Sequence, residues 1–175
     1  TLSLHDALPI FKLYFFLFLT FVTMIFFMLY AVEPSVLALF IHHYVNKMIL
    51  GFQFPASGYF ILNPVFNLVV GGVIITLLVK STKMPSADKR VYLGLLFMGV
   101  AFLILWLSAK YEYSSAGLST WWILIIYFFL SGAEMILAPV AYAIVFEMGV
   151  SELYGVMSGM TQAAIGVGAL FSEAL

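Results

Sequence analysis

Glu134 sits in the stretch YFFLSGAEMILAPVAYA, 13 residues after Trp121 and with no other charged residue nearby. At 1.5 Å of rise per residue its side chain lies about 20 Å along a helix that begins near Trp121, close to the middle of a bilayer if that helix crosses one. A carboxylate at such a depth costs roughly 3 kcal/mol even on the mildest insertion scale, so it must face a cavity, a cation or a proton. Two roles fit. One is a group that takes up and releases protons or grips a cationic substrate; the other is a permanently protonated or hydrogen-bonded structural acid. Intramembrane acids favour the first. Around it, Ser131, Gly132, Ala133, Ala138, Ala141 and Ala143 allow close helix approach, and Pro139 frees the carbonyl of Met135.

Two further polar groups stand beside prolines. Asn63-Pro64 lies about eight residues into its apolar run, about 12 Å below the boundary, and Glu33-Pro34 lies at a similar distance from the end of the preceding run. Consecutive antiparallel spans thereby bring an acid and an amide to matching depth, next to residues that loosen backbone pairing, as in the interrupted helices of transporter sites. For Asn63 a structural cap or an interhelical hydrogen bond fits equally well; for Glu33 a snorkelling or loop position is the alternative. His42 and His43 read as interfacial residues. They have no partners at metal-ligand spacing, and the chain contains no HExxH, GxSxG or phosphate-binding glycine loop. No metal or other cofactor is implied. A membrane-embedded enzyme would need a convergent acid, nucleophile or metal cluster, which the sequence does not offer.

The elements that must hold these residues are long apolar helices. Of the 175 residues 65% are hydrophobic and 9% charged, with mean hydropathy +1.14, whereas soluble domains are about 25% charged. A domain of this size has too little interior to hide so much apolar surface from water, so lipid must cover it. Runs long enough to cross about 30 Å of hydrocarbon are expected at 12–44, 56–79, 91–109, 121–146 and 153–175. The last is rich in glycine and alanine, with GVMSG at 155–159 and Ala164 with Gly168 as small-residue packing patterns. Residues 1–10, TLSLHDALPI, look like one reading frame of a sequencing adapter and are set aside as non-native; both ends are expected to be truncations. Cysteine is absent and the net charge is −1, which excludes disulfides and thiolate chemistry and argues against nucleic acid as a partner.

Orientation follows from the basic residues. Lys12, Lys80, Lys83, Lys89 and Arg90 fall on one side of the alternating spans, Lys47 and Lys110 on the other, which makes the first side cytoplasmic. Tyr111, Tyr113, Trp121 and Trp122 gather at the opposite, outer face, where amphipathic rings settle among headgroups. Glu147 and Glu152 flank a cytoplasmic turn and read as solvated.

The order and spacing of several segments resemble the proton-dependent oligopeptide transporters of the major facilitator superfamily, from about residue 26 to 170. FFMLYAVEPSVLALF is similar to that family's Tyr-Ala-Gln-x-Pro-Thr-Ser-Leu stretch on its seventh helix, and ILGFQFPASGYFILNPVF to its entry into the eighth. MPSADKRVYLGLLFMGVAFLIL looks like the cytoplasmic loop and ninth helix, SGAEMILAPVAYAIV like the GEL..SP tenth helix, and LYGVMSG like the G..MG that follows. The resemblance implies an all-α integral membrane protein, a fragment of about five helices from the C-terminal half of a major facilitator bundle. It implies that Asn63 contacts the peptide backbone, that Glu134 engages the peptide amino terminus or takes part in proton coupling, and that Tyr30 is an aromatic beside the cavity. Val32 stands where the family usually has Gln, Ala138 where Ser is frequent, Thr161 where Trp is, and Val150 near a usual Pro; these departures widen the implied cargo to other small zwitterions. The expectation is therefore a secondary transporter of a cell membrane. It would symport protons with di- or tripeptides, using Glu134, Asn63, Tyr30 and Glu33, with the other half of the same chain completing the cavity. Alternatives are another major facilitator carrying amino acids, sugars or drugs, and a purely structural helix bundle.

Overall fold

Proline placement decides how the apolar runs fold. In the computed structural model, which describes residues 4–49, 51–80, 86–111, 117–147 and 153–172, the run 12–44 is not one helix. Helix α1 (Leu4–Tyr30) stops where the ring of Pro34 would meet the carbonyl four residues back, that of Tyr30. A turn at Ala31 and Val32 follows, closed by Ala31 N–H to Phe27 O at 2.9 Å. The chain then makes a π-helical segment at Glu33–Leu37 and resumes as α2 (Ala38–Tyr44). Wide π turns of this kind are single-turn features that interrupt α-helices, often at functional positions.

The second run changes pitch rather than breaking. A 3₁₀ segment at Ala56–Ile61 leads into α3 (Leu62–Lys80). Pro64 falls in the first turn of α3, where its missing N–H has no helical partner to lose. Helices α4 (Ala87–Tyr111), α5 (Thr120–Glu147, with Pro139 inside) and α6 (Tyr154–Ser172) complete the set. Lys83, Tyr113, Val150 and Glu152, to which the sequence assigned loop or interface positions, lie outside the described residues.

Among the described residues, four helical stretches are long and apolar enough to cross a membrane: Lys12–Tyr44, Ala56–Val73, Lys89–Tyr111 and Thr120–Ala143. Helix α6 is 19 residues long, the same as α3, but its glycines, serines and Gln162 dilute its apolar character and it is not one of the four. Half of the most apolar 18-residue window of the Thr120–Ala143 stretch is buried, against 11–28% in those of the other three.

The chain divides into two compact units, Thr1–Val32 with Ala138–Leu175, and Glu33–Leu137. In the first, α1 packs on α6 at Gly168, where an added Cβ would collide with the carbonyl oxygen of Met24 and come within 3.1 Å of the Met28 nitrogen. Gly155, Gly159 and Gly166 meet nothing within 4 Å, so of the two small-residue patterns only the one ending at Gly168 makes a close backbone approach. Gln162 Nε2 donates to Tyr142 Oη at 2.9 Å in the same unit.

In the second unit α4 and α5 meet over small residues. A Cβ on Gly94 would lie 3.0 Å from Leu137 Cβ, and one on Gly132 would strike the Phe97 ring at 2.6 Å. Ser131 and Ala133 are fully buried beside it. At one end of this unit, β1 (Val45–Asn46) pairs in parallel with β4 (Leu118–Ser119), and β2 (Met48–Ile49) with β3 (Phe52–Gln53) in antiparallel register. Gly117, with φ +83, permits the turn into β4, where a side chain would crowd the Asn46 nitrogen at 3.1 Å. The Thr120 hydroxyl donates to Asn46 O at 2.7 Å. Its single proton is thus used, so Tyr59 must donate in the 2.8 Å contact between the two hydroxyls.

Candidate functional site

Three helical elements of the second unit carry polar side chains to one place. The π-helical segment starts with Glu33, 7% exposed. The first turns of α3 present Asn63 and, four residues on and so on the same face, Asn67. The middle of α5 brings Glu134, with Ser131 and Tyr127 three and seven residues before it on the same side.

These side chains form a continuous chain of hydrogen bonds. Asn63 Nδ2 donates to Glu33 Oε2 at 2.6 Å. Asn67 Nδ2 donates at 2.8 Å to Asn63 Oδ1 and at 2.8 Å to Glu134 Oε2. Two carboxyl groups on different helices are thereby joined through two side-chain amides, in surroundings where each bond is stronger than in water and each unmade bond is costly. Ser131 Oγ donates to the backbone carbonyl of Asn63 at 3.4 Å, a long contact that tethers α5 to the start of α3. The phenol of Tyr127 lies within electrostatic reach of Glu33, and among the described residues its buried oxygen meets no partner in full hydrogen-bond geometry. Asn67 Oδ1 is the second buried oxygen of this cluster without a partner among the described residues.

Of the four residues singled out in the sequence, Glu33, Asn63 and Glu134 belong to this chain. Tyr30 belongs to the first unit, where its ring stacks on Phe26 at 6.0 Å and meets Phe27 edge-on at 6.1 Å. Asn67 escaped the sequence reading although it is the link between the two acids. The available signal was its spacing, a second amide four residues after Asn63 in an apolar run. The histidines lie exposed in the last turn of α2: His43 Nδ1 donates to Leu39 O at 2.9 Å, and the carbonyl of His42 accepts from Lys47 Nζ at 2.7 Å. Among the described residues no cluster of His, Asp or Glu could hold a metal ion.

The arrangement suits binding and proton exchange. Two carboxyl groups offer anionic acceptors for a cation, and the two amides can donate to or accept from a substrate's peptide groups.

The sequence matches the POT family model (PTR2) over residues 10–175. It is 30% identical over 159 residues to dipeptide and tripeptide permease B of Yersinia enterocolitica, covering 85% of this chain and 32% of that protein. To dipeptide and tripeptide permease A of Proteus mirabilis it is 28% identical over 147 residues, covering 82% and 30%. The chain spans about a third of the length of the curated relatives it matches. A crystal structure of peptide transporter POT in complex with sulfate superposes with a TM-score of 0.80 at 20% identity, covering 95% of this chain and 35% of that one. A variant of the same transporter in complex with alafosfalin gives 0.81 at 19% identity over 97% and 36%. The fold is that of a major facilitator helix bundle, and the chain is part of a multi-pass membrane protein. It belongs to the POT family.

Proposed function

We propose that this chain forms part of the substrate and proton site of a secondary transporter. The transporter symports protons with di- or tripeptides, or related small zwitterions, by alternating access in the cell membrane. The observation that carries this reading is the hydrogen-bonded chain Glu33–Asn63–Asn67–Glu134 within apolar spans; membership of a family whose matched relatives are peptide permeases supports the cargo. In this reading Glu134 holds the substrate's ammonium by charge-assisted hydrogen bonding. Asn63 reads a peptide carbonyl or amide, Glu33 exchanges the driving proton, and Tyr30 lines the substrate path. The other half of the same chain supplies the facing wall, and rocking of the halves exposes the site to each side in turn.

The test is competition for uptake by the full-length protein in proteoliposomes, using a dipeptide and its N-acetylated counterpart. A free amino terminus at Glu134 requires the blocked peptide to compete at least tenfold more weakly; equal competition would show that no ammonium is read. A sugar or drug outcompeting both would move the cargo to another class of major facilitator substrate.

A further inference from the structure

In the proposed transporter Glu134 and Asn63 grip neighbouring parts of a substrate's amino-terminal residue, and Asn67 stands between them. The side-chain nitrogen of Asn67 donates to Asn63 Oδ1 and to Glu134 Oε2, each at 2.8 Å. The two N–H bonds of a planar amide diverge, so these two oxygens are held about 5 Å apart, whatever else Asn63 and Glu134 touch. The first contact joins residues four apart on one face of α3, where the helical pitch fixes it. The second crosses to α5. Asn67 is therefore a short strut between the amide of α3 and the carboxyl of α5.

Packing alone does not explain this amide. Asn67 Oδ1 is buried and meets no partner among the described residues. An unpaired buried oxygen is unfavourable, and a leucine would fill nearly the same volume without that loss. What the amide supplies, and a leucine would not, is its pair of N–H bonds, and both end on side chains of the candidate site.

The chemistry of a peptide's amino terminus supplies a use for a fixed spacing. In an α-amino acid residue the ammonium nitrogen stands two bonds from the carbonyl carbon. In a β-amino acid residue one more methylene intervenes and moves the ammonium outward by up to about 1.5 Å, the length of a C–C bond. A carboxyl group that can swing follows this displacement. One braced by Asn67 does not.

We infer that Asn67 is a specificity-determining residue, a positioning group that braces Glu134 at the distance from Asn63 suited to an α-amino terminus. Substrates whose ammonium is carried one carbon further out are rejected. The inference rests on the proposed roles of Glu134 and Asn63 and adds to them the class of amino terminus that the site accepts. One methylene too many in a fitted site is worth about 10- to 200-fold in discrimination.

The experiment is binding of alanyl-alanine and of β-alanyl-alanine to the full-length protein in lipid nanodiscs, measured by titration calorimetry. The native protein is expected to bind the α peptide at least about tenfold more tightly. In Asn67→Leu the Kd of the α peptide rises, that of the β peptide moves less, and their ratio falls below about threefold. Asn67→Ala is the second variant should the leucine variant fold poorly. A Kd does not depend on the fraction of protein that is folded, so partial misfolding leaves the ratio intact. A merely structural role for Asn67 would weaken both peptides alike; an unchanged ratio in the variants would overturn the inference, as would equal affinities in the native protein. Either of those results leaves the peptide reading standing. Binding of neither peptide by the native protein would overturn that reading and the inference with it.

Discussion

Asn67 and Glu134, 67 positions apart in the sequence, meet at 2.8 Å through one N–H, and the other N–H of the same nitrogen reaches Asn63. Helices α3 and α5 are thus joined by a part-buried polar contact between otherwise apolar helices.

Replacing Asn63 by Ala removes the donor to Glu33 and the acceptor from Asn67 at once. Hydrogen bonds to charged groups contribute about 1.5–3 kcal/mol each. Uptake by the full-length protein at limiting substrate should fall about ten- to a hundredfold, with normal amounts of protein in the membrane. Unchanged uptake would place the cluster outside the transport path.

Much of this was legible in the sequence, and the rest was hidden for identifiable reasons. Glu134 announced itself because a carboxyl group in a long apolar run has few permitted surroundings. Glu33-Pro34 foretold a helix break, and the break follows from the clash of the Pro34 ring with the carbonyl of Tyr30. Asn63-Pro64 resembled a second break, yet a 3₁₀ segment ends just before it and leaves Pro64 in a first turn, where proline is tolerated. Asn67 was invisible because amides in membrane helices have many uses and only three-dimensional proximity selects one. The glycine patterns of α6 could not tell Gly168, which faces a neighbouring backbone, from Gly155 and Gly159, which face open space.

Gly168→Val should destabilise the packing of α1 on α6 by about 1–3 kcal/mol, because the new side chain meets the Met24 backbone and not a movable side-chain end. Gly166→Ala, two residues away with open space around it, should leave the thermal midpoint in detergent within a degree or two of native. Similar melting of both variants would mean that the close approach at Gly168 is absent in the membrane.

Thr120→Val keeps shape but strands the Tyr59 hydroxyl, which is buried with Thr120 as its acceptor. An unpaired buried hydroxyl costs about 1–3 kcal/mol, so the single variant should lose that much stability. Adding Tyr59→Phe should restore part of it, since both partners are then apolar. A double-mutant cycle in thermal melts measures the coupling; strict additivity would rule out the bond.

The central claim is that Glu134 lies at the heart of a proton-driven site. The most direct measurement is uptake of a labelled dipeptide into proteoliposomes under an inward acid gradient, comparing the full-length native protein with Glu134→Gln. The account predicts accumulation above the external concentration in the native protein and its loss in the variant. Transport at the full native rate by Glu134→Gln would contradict it.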